Sequence, residues 1–379
     1  MSPQRQHQQD SAKRVRGSIW LVCAVLLLVG GALLMWDGRI ERPDPPRVEF
    51  PRRMTDEHLE RANVRLVPMA PLPPMPGQEE EETDDLEQPE PVYRDPFLDA
   101  LAGASSGAVV MEVSAFRHSP LGNRVVSCVQ GPLREMLDEI HEATGIDFIE
   151  DLDRVAIFVD GGLPGMLVSG HFPRGAWDEA LKDVSVVTER HGDAVIYELV
   201  QEPVAVWRDQ FVLFGENEEQ IRRRIDLLEG RATPENRPLS PEHTYGEMYG
   251  ALTKEMLVEL LASLDPDLAR QTEELLTSAR FNLSASGDVG LVGALEATSP
   301  EAAADLSRLL AGGLSVARTA ARRHGDEKFA DLLELARVIP GGRGDSLFRI
   351  ELALPETYLE EWVSNFCAKL EAGSDEERF

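Results

Sequence analysis

The stretch VAIFVDGGLPGMLVS, residues 155–169, decides how the folded part of this chain is read. Val155 to Val159 and Met166 to Ser169 are short apolar runs of strand formers, and Gly161-Gly162-Leu163-Pro164-Gly165 between them is turn material. An antiparallel hairpin is predicted. Upstream, Gly107 to Phe116 reads as a strand, and Leu133, Met136, Leu137 and Ile140 recur at helical spacing before a stop at Gly145. Downstream, Pro173 introduces a helix through Trp177 and Leu181. Strands are predicted at 184–189, 194–199 and 203–214, and a helix at 217–229 puts Ile221, Ile225 and Leu228 on one face.

The same order returns about 127 residues later, as the pair Pro173 and Pro300 illustrates. A strand is predicted at 245–254, a long helical region at 255–278, and a hairpin from 280–286 and 289–297 turning at Gly287-Asp288. Ser299 followed by Pro300 is a cap with proline at the first helical position. The strand Ser346 to Leu354 and a helix from Glu356 to Leu370 complete the unit. Each half can be written with a βαββαβ core, so the predicted fold class is α+β. Two ferredoxin-like lobes are expected in tandem, residues 107–230 and 244–373, joined by a Pro-rich linker at 231–243 and followed by a tail at 374–379.

Outside the lobes, residues 17–36 read GSIWLVCAVLLLVGGALLMW, with no charged residue. Twenty apolar residues match the length of helix that crosses a hydrocarbon core of roughly 30 Å. The preceding tail, residues 1–16, carries Arg5, Lys13, Arg14 and Arg16 against Asp10 alone. Lys13, Arg14 and Arg16 set the topology: tail in the cytoplasm, remainder exported. Trp20 and Trp36 fall where indoles anchor at the two interfaces. The exit Leu34-Met35-Trp36-Asp37 lacks the small residues of a cleavage site, so a retained signal anchor is expected. Between the anchor and the first lobe, residues 37–106 contain twelve prolines and a base-free acidic run from Glu79 to Glu90. That composition predicts an extended or disordered, self-repelling tether, within which residues 54–65 (MTDEHLERANVR) can form a short helix.

The stretch ATGIDFIEDLDRVAIFVDGGLPGMLVSGHF, residues 143–172, resembles a pattern in exported, membrane-anchored bacterial proteins of unknown function. In these a helix ends in a Gly-Ile-Asp-Phe phrase, Asp-Leu-Asp-Arg enters a strand, and a G-x-F strand end precedes the next helix. The resemblance implies an envelope location and brings no catalytic residues. Asp151 and Asp153 are expected to cap or pair at the strand entrance.

Charge and motif content narrow the function. The 379 residues carry 67 Asp plus Glu against 38 Lys plus Arg, a net charge of −29, which disfavours nucleic acid as a partner. Phosphate-loop, dinucleotide and zincin motifs are missing from the sequence. His118, His141, His171 and His191 lack the short spacing of metal ligands. No catalytic residue, cofactor or metal is therefore expected, and the chain is read as a non-enzyme. Cys128 and Cys367 fall in an oxidising compartment. Two readings stay open for them: a disulfide between the first lobe and the last helix, or a free thiol at Cys367. The apolar stripe Leu359, Trp362, Val363, Phe366 and Leu370 suits the free thiol.

The expected protein is thus a single-pass bacterial inner-membrane protein with a periplasmic folded region. It serves as a protein-interaction or assembly module for an envelope partner. The alternative is a carrier for a lipid or other small apolar ligand, suggested by the apolar strands 155–159 and 291–295.

Overall fold

The computed structural model describes residues 50–68, 93–103, 107–182, 185–199, 202–234, 236–264, 269–270, 273–325, 327–356, 359–360, 363–364 and 367. The expected anchor at 17–36, with Trp20, Trp36, Lys13, Arg14 and Arg16, lies outside the described residues. Among those described, no helix is long and apolar enough to cross a membrane.

Two short segments precede the main body. The first holds helix α1 (Asp56–Val64), capped by Thr55, and strand β1 (Val67–Pro68). The second holds β2 (Tyr93–Arg94), which pairs with β1, and helix α2 (Pro96–Ala100). Asp95 accepts a hydrogen bond from the Phe97 N–H at 2.9 Å and Pro96 occupies the first turn, so α2 begins as a capped helix should. All five α2 residues are buried. Helix α1 falls within the short helix allowed at 54–65, while the ordered β2 and α2 correct the expectation of a disordered tether over 93–103. The proline count masked a short apolar plug, Pro96-Phe97-Leu98 with Leu101, which inserts into the core because burying it removes its apolar surface from water.

The main body runs β3 (Gly107–Glu112), α3 (Val113–His118), α4 (Pro120–Thr144), β4 (Leu152–Asp160), β5 (Leu163–Gly170), α5 (Ala176–Leu181), β6 (Val186–His191), β7 (Ala194–Glu198), β8 (Pro203–Trp207), β9 (Phe211–Gly215) and α6 (Glu218–Glu229). It continues through β10 (Met248–Thr253), α7 (Lys254–Leu264), β11 (Leu276–Ser284), β12 (Val289–Ala297), α8 (Pro300–Arg323), α9 (Glu327–Glu334), β13 (Ala336–Ile339) and β14 (Leu347–Leu354). The predicted hairpins β4–β5 and β11–β12 and the capped helix α8 are all present.

Twelve strands form one antiparallel sheet in the order β13-β14-β12-β11-β10-β3-β4-β5-β9-β8-β7-β6. The fold class is α+β with a large antiparallel sheet. The halves meet through the β3–β10 ladder, Ala108 opposite Ala251 and Val110 opposite Tyr249, and the order outward from that ladder is similar on both sides. The ferredoxin-like order is not the one seen. A split βαβ unit would insert its third strand between the first two, whereas β3, β4 and β5 pair consecutively. The connection through α3 and α4 returns the chain antiparallel beside β3 rather than across a neighbouring strand.

Other boundaries shift for local reasons. The expected strand at 203–214 is a hairpin, because Arg208 and Asp209 adopt left-handed φ values of 52° and 53°. Neither is glycine, so tertiary contacts hold the turn: Arg208 lies 4.5 Å from the Trp207 ring, and the Gly175 N–H donates to Asp209 at 3.2 Å. The predicted strand 107–116 stops at Glu112, and the helical region expected over 255–278 yields to β11 from Leu276.

Inward-facing residues of β3, β4, β5, β7, β8 and β9 pack under α2 and α6, with Phe97, Leu101, Phe158, Leu167, Ile196 and Ile221 at the centre. The opposite face of the first half is covered by α5, where Trp177 meets Phe172 edge-on at 5.1 Å. In the second half Leu257, Leu276, Leu306 and Phe348 bind α7 and α8 to the sheet. Strands 155–159 and 291–295, the basis of the carrier reading, contribute Ala156, Phe158, Val292 and Leu295 to protein packing.

Candidate functional site

Strand register builds a polar row at one end of the sheet. Glu112 on β3 is opposite Arg154 on β4, and Arg154 is opposite Ser169 on β5. Residues two apart share a face, so these three continue the rows that carry Val110, Ala156 and Leu167 into the core. All three are at least 95 % buried.

Each buried charge recruits a partner from the N-terminal segments. The Arg154 guanidinium donates to Asp95 at 2.6 and 3.2 Å and sits 4.1 Å from the Phe97 ring centre. Burial pulls this group down, but Asp95 outweighs the effect and holds it above the ordinary arginine value. Glu112 accepts from the Tyr249 hydroxyl at 2.7 Å and from Arg65 at 3.0 Å. Burial, and then the Glu112 charge, keep the Tyr249 phenol well above its usual range. Arg65 also donates to Asp153 at 2.9 Å, where Ser114 donates too. Asp153 thus pairs at the strand entrance as expected, and Asp151 accepts from the Asp147 N–H at 2.8 Å. Arg94 donates to the Leu227 and Leu228 carbonyls at the end of α6, and it shares Asp99 with Arg237.

Helix α1 lies over this lattice with no buried residue of its own. It is held from its flanks. Arg65 reaches down at its C-terminus, and the Gly246 N–H donates to His58 Nε2 at 3.3 Å. Further out, Arg52 forms a forked pair with buried Glu351 on β14 at 2.8 and 2.9 Å. Two cavities flank α1: a small one of about 80 Å³, and an open groove of about 560 Å³ running toward β5 and the β8–β9 turn. Arg61, Arg65, Asp95 and Arg154 line both. The groove wall adds Ser114, Ser169, His171, Arg208 and Gln210.

Among the described residues, no group of three or more His, Cys, Asp or Glu is placed to hold a metal. The histidines are engaged separately: His118 Nδ1 contacts the Ser114 carbonyl, His191 meets Asp226 at 2.8 Å, and His171 borders the groove. Cys128 on α4 and Cys367 form a disulfide with Cα atoms 5.4 Å apart, an ordinary separation for such a bridge. Pairing therefore displaces the free-thiol reading that the apolar stripe favoured. Apart from Asp153 and His171, the groove residues were not singled out in the sequence. The signal was present: Arg154 falls on the inward parity of a strand whose next inward positions are Ala156 and Phe158, and a charge at such a position demands a buried partner.

No family model matches the chain, and no curated protein matches it. Among solved structures, crystal form III of TP0453 shares 12% identity over 72% of this chain and 97% of that one, with a TM-score of 0.42. Crystal form I of the same protein gives 12% identity, 72% and 96% coverage, and a TM-score of 0.39.

Proposed function

We propose that this is a single-pass, membrane-anchored bacterial envelope protein whose exported α+β region is a non-enzymatic protein-interaction module. The N-terminus faces the cytoplasm and the sheet faces the periplasm. The observation that carries the reading is the groove beside α1. Its volume of about 560 Å³ suits several side chains of a partner segment, and its wall sets guanidinium, carboxylate, hydroxyl and amide groups among the apolar Val64, Val67, Pro96, Trp207 and Phe211. Such a wall supports recognition of a polypeptide with both polar and apolar side chains, whereas a wholly apolar ligand would leave the polar groups desolvated without partners. The Cys128–Cys367 bridge supports an oxidising compartment.

The test is a crosslinked pull-down of the full chain from its membrane, followed by native mass spectrometry. The interaction module predicts a stoichiometric envelope protein. A co-purifying apolar mass with no protein partner would replace this reading with the carrier.

A further inference from the structure

The lattice beside α1 uses up its acids before it uses up its bases. Asp95 is engaged by Arg154, and Asp153 and Glu112 are engaged by Arg65. Glu57 and Glu60 also border the groove but are exposed to solvent. Among the described residues, nothing accepts from Arg61 Nε and Nη1, which are both buried. In the same wall, Arg154 Nε, 3.8 Å from Asp153 Oδ2, and Ser169 Oγ are buried without a hydrogen-bond partner among the described residues, on side chains that are 4 % and 5 % exposed. Buried donors without acceptors are uncommon in folded proteins and mark places where a water, an ion or a ligand completes the bonding. Here three such side chains from α1, β4 and β5 border one open cavity, and one of them, Arg61, brings a cation with no partner carboxylate among the described residues.

We infer that the groove holds one oxyanion, a carboxylate or phosphate group presented by its ligand, between Arg61 and the Arg154–Ser169 pair. Charge-assisted bonds from guanidinium to such groups are stronger than neutral ones, and the surrounding walls limit screening. This deepens the interaction-module reading by naming the charged group that the groove recognises. It rests on the same cavity. Glutamate or aspartate side chains of a partner and phosphate-bearing ligands share the chemistry, and the probes below separate them.

The experiment titrates the purified full chain in detergent with glutarate and, separately, with inorganic phosphate by calorimetry. Saturable binding of at least one is expected, and the tighter of the two identifies the source. Arg61→Gln, on a helix with no buried residue, should weaken binding at least tenfold, and Ser169→Ala about threefold. Arg343→Gln, an exposed change in the loop before β14, should leave binding unchanged. Failure of both anions to saturate, or equal binding by wild type and Arg61→Gln, overturns the inference. If a stoichiometric protein partner is still recovered in that case, the interaction module stands and only the oxyanion is lost. Anion binding with no partner recovered supports the oxyanion and removes the partner.

Discussion

Arg224 on α6 and Asp160 at the end of β4 meet at 2.6 Å, and the guanidinium is wholly buried beneath the N-terminal plug. Arg224 Nη1 donates to the Ala100 and Ala102 carbonyls and the group lies 4.7 Å from the Phe158 ring, so one side chain ties α2, α6 and β4 together. Burial pushes its pKa down to about 10, with Asp160 opposing the shift. Arg224→Met should cost about 3 to 5 kcal/mol, because two carbonyls lose their buried donor and the Asp160 carboxylate loses its nearer guanidinium. Urea denaturation of the full chain measures it. A loss below about 1 kcal/mol would mean that Arg223, 3.6 Å from Asp160, takes over.

Phe97 separates a plug from a tether. Its side chain is fully buried and 6.4 Å from the Phe211 ring, so Phe97→Ala should destabilise the fold by about 3 to 5 kcal/mol. A residue in a disordered linker would give no change in the denaturation midpoint.

The disulfide closes a loop across 239 residues of sequence, for which chain entropy sets a ceiling on the order of 5 kcal/mol. Of the three cysteines, only Cys23 should then react in the denatured, unreduced full chain, and all three after reduction. Three reactive thiols before reduction would contradict the bridge.

The seat of α1 should weaken in mild acid. His58 is held below the ordinary imidazole value, first by burial and then by the neighbouring Arg61 charge. The unfolded chain therefore takes up the proton first. The stabilising contribution is complete above about pH 6.5 and is lost as pH falls through the lower folded value. Hydrogen-exchange protection of the Gly246 amide, which donates to His58, should be lower at pH 5.5 than at pH 7.5. His58→Gln should abolish the difference, and an equal decline in that variant would place the titration elsewhere.

Local elements were the legible part of the sequence. The β4–β5 hairpin was announced by its glycine-rich turn, α6 by the helical spacing of Ile221, Ile225 and Leu228, and α8 by Ser299-Pro300. Strand pairing was not legible, since nothing local in Val109 or Gly250 states that β3 and β10 will meet. The turn at Arg208-Asp209 was hidden because its left-handed backbone is held by Trp207 and Gly175 rather than by glycine. The groove was hidden for the same reason. Arg61, Arg154 and Ser169 come together only after α1, β4 and β5 have folded beside one another.

The most direct test of the groove as a partner site is photo-crosslinking in living cells. A photoreactive amino acid replaces Glu57 or His171 in the groove, or Val316 on the exposed face of α8, which is 70 % exposed. The groove positions should each give a discrete crosslinked protein that Arg61→Glu removes, while Val316 gives none. A protein adduct from Val316 with none from the groove, or groove adducts unaffected by Arg61→Glu, would contradict the account.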